Sequence, residues 1–204
     1  MLRTALKTNR AGIARRMSLR MSLIRDPSLV THLPLWDMGN AENLISKDAY
    51  KLACVNTDTV WTPSGRLFNA SSFISLGDPA SLQFERTSSF SFSFYFKRSA
   101  VGVAQTLLSK IQDTSTLKGY QIGINSSNQL VVRLTNTITT DEIHATSVET
   151  IPDTLGHSVG VSYDGSSDVS GLIVTLDKRQ VTLTTVANTL SATILNSGIV
   201  LIGV

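Results

Sequence analysis

A single cysteine, Cys54, stands in 204 residues, so no intrachain disulfide can form and no cysteine-based zinc cluster can be built. A lack of disulfides suits a virion or cytosolic protein and is also met in secreted ones, so the compartment stays open. Charged residues make up only 16% of the chain, against roughly 25% in average soluble domains. Serine and threonine fill much of that gap, which favours strands with hydroxyl-rich outer faces. No apolar run approaches the roughly 18 residues of a membrane span, and the N-terminus lacks the compact apolar core of a secretory signal. Glycine-rich runs followed by Lys-Ser or Lys-Thr do not occur, which excludes a phosphate-cradling loop of that kind.

The first 25 residues contain no acid. They hold seven cations, Arg3, Lys7, Arg10, Arg15, Arg16, Arg20 and Arg25. The other eleven cations face all fifteen acids, so residues 26–204 carry −4 and the net +3 belongs to the N-terminus. Residues 1–28 therefore read as a basic arm on a mildly acidic domain, without the global field that would attract nucleic acid to that domain. Leu2, Leu6, Ile13, Met17, Met21 and Ile24 recur at spacings compatible with one helical face, interrupted by Gly12 and ended by Pro27. The same composition fits a transit peptide or a solvated tail. The arm's seven cations are expected to bind other protein subunits of an assembly. With no aromatic residue for stacking, the arm has no means of sequence-specific nucleic-acid recognition.

From Leu29 onward the pattern has period two, which sends alternate side chains to opposite faces of a strand. Phe90, Phe92, Phe94 and Phe96 alternate with Ser91, Ser93, Tyr95 and Lys97. Four phenylalanines two apart would scatter around a helix, so this segment is a strand with one aromatic core face. Tyr120, Ile122 and Ile124 follow the same rule, as do Leu130, Val132 and Leu134. So do Val159, Val161 and Tyr163; Leu172, Val174 and Leu176; and Ile199 with Leu201. Turn-rich stretches such as 125–128 and 164–167 separate them. Many strands at short spacing, with no helical pattern between them, define an antiparallel β-sandwich or barrel and disfavour a doubly wound fold.

The chain resembles the laminin-G-like jelly roll of the concanavalin A-like lectin/glucanase superfamily over about residues 29–204. The likeness opens at Leu33-Pro34-Leu35-Trp36-Asp37 and continues through Gly65-Arg66-Leu67-Phe68-Asn69, Ser72-Phe73-Ile74-Ser75-Leu76 and Pro79-Ala80-Ser81-Leu82. It then runs into the phenylalanine strand, which the family places centrally. Gln105-Thr106-Leu107-Leu108-Ser109-Lys110 and Gly119-Tyr120-Gln121-Ile122-Gly123-Ile124 come next, and His157 to Ser166 is similar to a histidine-strand-Tyr-Asp-Gly signature. The pattern departs at Leu155-Gly156, where an aromatic often precedes the histidine, and at Asp177-Lys178-Arg179, in place of Asp-Gly-Lys. Ile202-Gly203 resembles the penultimate strand, so the resemblance implies a sandwich lacking its usual last strand.

Glycoside hydrolysis needs two carboxyl groups flanking a cleft. Asp141 and Glu142 are adjacent and on a strand would point to opposite faces, while Asp164 and Asp168 sit in a turn where aspartate commonly bonds the backbone. His32, His144 and His157 show no metal-ligand spacing, and His157 reads as a structural histidine bonding the turn before its strand. No catalytic, metal or cofactor residue is therefore expected. Calcium, which domains of this resemblance often bind, has only Asp164, Asp168 and Asp177 to draw on. The expected function is a non-catalytic structural module of a large assembly, a virus or phage particle (capsid decoration or tail component), anchored by residues 1–28 and located in the virion. The alternative is a carbohydrate-binding or adhesion module, extracellular or at the cell surface, in which Trp36 and Trp61 stack on sugar faces.

Overall fold

The computed structural model describes residues 28–39, 43–69 and 71–203. It is an all-β antiparallel sandwich. In chain order the strands are β1 (Asn43–Ile45), β2 (Ala53–Thr57), β3 (Val60–Thr62), β4 (Gly65–Leu67), β5 (Phe73–Gly77), β6 (Phe90–Lys97), β7 (Gln105–Ile111) and β8 (Gly119–Ile124). There follow β9 (Gln129–Thr137), β10 (Asp141–Thr150), β11 (Gly156–Tyr163), β12 (Leu172–Leu176), β13 (Arg179–Gln180), β14 (Leu183–Asn188) and β15 (Val200–Ile202). The larger sheet has nine strands in the order β1-β2-β5-β15-β7-β8-β9-β10-β14, the smaller has four in the order β13-β12-β11-β6, and β3-β4 is a separate hairpin.

The core lies between the two sheets, and the alternating residues define its walls. Tyr120, Ile122 and Ile124 of β8, Leu130, Val132 and Leu134 of β9, and Ile143 and Ala145 of β10 are buried on the inner face of the larger sheet. Val159, Val161 and Tyr163 of β11 and Leu172 and Val174 of β12 answer them from the smaller one. An aromatic cluster joins the sheets: Phe90 stacks on Phe84 at 4.8 Å between centroids, and Phe92 lies 5.5 Å from Tyr120. Such pairs add to their area burial through ring electrostatics. The two buried tyrosine hydroxyls find carbonyls, Tyr120 donating to Leu82 at 3.2 Å and Tyr163 to Arg86 at 2.6 Å. Cys54, on β2, is buried, its thiol pushed up to about 11 by burial and by the charge of Asp48.

Two expectations about strands change. The phenylalanine strand β6 is not central: among the described residues it pairs only with β11, at the edge of the smaller sheet. Its alternation is as read, with Ser91, Ser93, Tyr95 and Lys97 exposed, but only Phe90 is buried and Phe92, Phe94 and Phe96 are half-buried. An edge strand has a neighbour on one flank only, so its inward side chains are less completely covered. In β15 Val200 and Ile202 face inward, Leu201 faces out, and Ile199 just before the strand is 46% exposed. Ile199-Val200-Leu201-Ile202 is a run of four apolar residues with no polar alternate to reveal its face. This strand lies inside the larger sheet, antiparallel to both β5 and β7.

The β12–β13 connection shows how the sequence meets a turn that favours glycine. Asp177 and Lys178 have φ of 49° and 69°, the left-handed pair of a two-residue type I′ hairpin. The Asp177 carboxylate bonds back to Ser158 N–H at 2.9 Å and to His157, which ties the turn to β11.

Candidate functional site

Arg3, Lys7, Arg10, Arg15, Arg16, Arg20 and Arg25, the partner-binding cations expected from sequence, lie outside the described residues. The described residues instead assemble polar groups on the outer face of the larger sheet. Antiparallel register sets Ser109 of β7 opposite Gln121 of β8, Gln121 opposite Arg133 of β9, and Arg133 opposite His144 of β10. Each of these residues sits between inward-facing core residues of its own strand, so period two sends all four outward. At the usual strand separation the row from Ser109 to His144 spans about 14 Å. On β8 the outer positions flanking Gln121 are Gly119 and Gly123, which carry no side chain to crowd it.

Neighbouring groups set the chemistry of each member. Gln121 donates from Nε2 to Thr106 Oγ1 at 3.1 Å, which leaves its Oε1 as an acceptor. Arg133 Nη2 lies 3.3 Å from His144 Nδ1. With the guanidinium as donor, Nδ1 is the acceptor and the imidazole proton sits on Nε2. Burial pushes the His144 pKa down, the Arg133 charge pushes it further, and Glu142 opposes them. His144 is therefore a neutral imidazole at neutral pH. Glu142, also on β10, is buried and turned to the Thr139 N–H at 3.1 Å and the Thr135 hydroxyl at 3.5 Å. Ser109 is buried, so the row offers a charged planar fork, a neutral imidazole and an amide oxygen, a donor and acceptor set suited to sugar hydroxyls and carboxylates.

The other candidates are dispersed. His157 is held from both sides, Nδ1 by Asp177 at 2.8 Å and Nε2 by Asp153 at 2.9 Å. Burial lowers its pKa, but the bonds to Asp177 and Asp153 outweigh that and hold it above the ordinary value. This clamp fixes the turn before β11 and the β12–β13 turn to one ring. Asp164 accepts from Ser166 N–H at 2.9 Å, and Asp168 accepts from Ser170 N–H at 2.8 Å and Asn188 at 2.9 Å. Among the described residues no group of three or more His, Cys, Asp or Glu side chains is placed to hold a metal ion. Trp36 and Trp61 are partly exposed and adjacent, Trp61 Nε1 donating to the Trp36 carbonyl at 3.1 Å. A cleft of about 570 Å³ lies elsewhere, lined among others by Val169, Leu172, Gln180, Val181 and Leu183.

The outer position of Gln121, Arg133 and His144 was open to strand alternation, since each interrupts a buried apolar pair. Their convergence was not, because register joins residues 12 and 11 positions apart in sequence.

No family model matches the chain, and no curated protein matches it. Among solved structures it is similar to the crystal structure of endo-β-1,4-glucuronan lyase from the fungus Trichoderma reesei, with 16% identity and a TM-score of 0.45 over 85% of this chain and 80% of that one. That protein is by name an enzyme of carbohydrates. On this finding, the expected non-catalytic module of a virus or phage particle is corrected, and so is the expectation that the chain is not an enzyme.

Proposed function

We propose that the chain is a carbohydrate-binding domain, a sandwich of the laminin-G-like kind whose ligand lies across the outer face of the larger sheet. The observation that carries this reading is the row Gln121, Arg133 and His144, aligned by register on three adjacent strands. A row of planar groups on a rigid sheet presents fixed hydrogen-bonding positions without the entropic cost of ordering a loop. The adjacent tryptophans Trp36 and Trp61 are a second feature of the kind that sugar faces stack on.

The test is affinity electrophoresis of the full chain through gels containing neutral and acidic polysaccharides, with Gln121→Ala and His144→Ala beside the native protein. Retardation by at least one polymer is expected, weakened about tenfold by each substitution, the usual effect of losing one good hydrogen bond at a site. Retardation untouched by both substitutions would move the ligand off this face. Chain-length analysis of each retained polymer after incubation shows whether binding is accompanied by cleavage.

A further inference from the structure

We infer that the sugar bound on this face carries a carboxylate, and that Arg133 is the residue that selects it. The inference rests on the reading of the face as a carbohydrate site and names the ligand class. Arg133 is half-buried on β9, where charged side chains are seldom found without a partner. Among the described residues no carboxylate lies within ion-pair distance of it, the close pairs being Lys110 with Asp78 and His157 with Asp153 and Asp177. Its one side-chain hydrogen bond there goes to a neutral acceptor, His144 Nδ1. A guanidinium has five N–H donors, so most of its donor capacity is left for solvent or ligand.

The neighbours sharpen the selection. Gln121 and Ser109 are neutral, and β7, β8 and β9 contribute no other cation to the outer face, since Lys110 is buried on the inner side with Asp78. Glu142 is the nearest acid on β10, and its oxygens are engaged by Thr139 and Thr135. The face thus presents one localised positive charge of planar geometry within a neutral polar row. A planar fork matches a carboxylate through two parallel hydrogen bonds, whereas a diffuse basic patch would attract any polyanion. A hexuronate residue brings a carboxylate to the fork and hydroxyls to the flanking amide and imidazole. A sulfated sugar would satisfy the charge without the planar match.

The experiment uses the full chain and a panel of polyuronates (polygalacturonate, alginate and polyglucuronate), each also after chemical reduction of its carboxyl groups to alcohols, with dextran sulfate as a further probe. Binding to at least one polyuronate is expected, weakened tenfold or more by carboxyl reduction. Arg133→Gln should bind the native polymer no better than the native protein binds the reduced one, and Arg133→Lys, which keeps the charge and loses the fork, should fall between. Urea midpoints of both variants establish that they fold, and the reduced polymer repeats the test with an unaltered protein. Equal binding to native and reduced polymer would overturn the carboxylate while leaving the carbohydrate site standing. Dextran sulfate bound as tightly as the polyuronate, with no loss in Arg133→Lys, would replace it with undirected charge attraction. Failure of every polymer to bind would overturn the carbohydrate reading and this inference together.

Discussion

Replacing Lys110 by methionine should destabilise the fold by about 3 kcal/mol. Lys110 points inward from β7 and is 1% exposed, with Nζ 2.8 Å from Asp78 Oδ1, 2.9 Å from the Asn196 carbonyl and 2.5 Å from the Gly198 carbonyl. An ammonium has three donors, and these contacts account for all of them. They tie the segment leading into β15 to β7 and to the loop after β5. Methionine keeps a flexible apolar stem of similar reach, so the loss is polar. Breaking a buried pair from one side costs about 3–5 kcal/mol, and hydrogen bonds to charged groups contribute about 1.5–3 kcal/mol each. The Asp78 side chain is 34% exposed and regains water when its partner is gone, which places the expected loss at the lower end. For a chain of this size about 3 kcal/mol corresponds to a fall in Tm of about 6–12 °C, and urea unfolding should show a lower midpoint at unchanged slope. The double variant Lys110→Met with Asp78→Asn should lose less than the sum of the single ones, because they share one interaction. A single-variant loss below about 1 kcal/mol, or strict additivity, would refute the argument and put the ammonium in solvent.

The His157 clamp makes stability depend on pH in two directions. His157 is raised in the folded state, so its contribution is full below the ordinary histidine pKa and is lost as pH rises through the raised value; Asp153 and Asp177 are lowered, so theirs is present above the ordinary carboxylate range and lost as pH falls through their lowered values. Urea midpoints against pH should peak between these limits, and His157→Asn should flatten the decline on the alkaline side; an unchanged alkaline limb would show that the ring is not charged. Phe94→Ala should cost about 2–3 kcal/mol, below the range for a fully packed phenylalanine, because Phe94 is half-buried on an edge strand; chemical denaturation giving over about 4 kcal/mol would mean that a further element covers that edge.

Strand alternation determined which residues of β6, β8, β9, β11 and β12 face the core, because side chains on a pleated strand can only alternate, and that was enough to define an all-β antiparallel sandwich or barrel. It also leaves Gln121 and Arg133 at the outward positions of β8 and β9. Alternation is silent where a run is uniformly apolar, as in β15, and silent about which flank of a strand has a neighbour; the central place of β6 is implied by the family resemblance alone, and the sheet order overturns it. Asp164 and Asp168, read from sequence as turn acids bonding the backbone, accept from the N–H groups of Ser166 and Ser170, and Asp141 and Glu142, read as no catalytic pair, bond to Ser191 and Thr139 N–H groups. What tertiary structure alone decided was register: the pairing of β8 with β9 and of β9 with β10 sets one amide, one guanidinium and one imidazole side by side. Register is set by the packing of the opposite, apolar face and by the turns between strands, so the polar row is a consequence of the core beneath it.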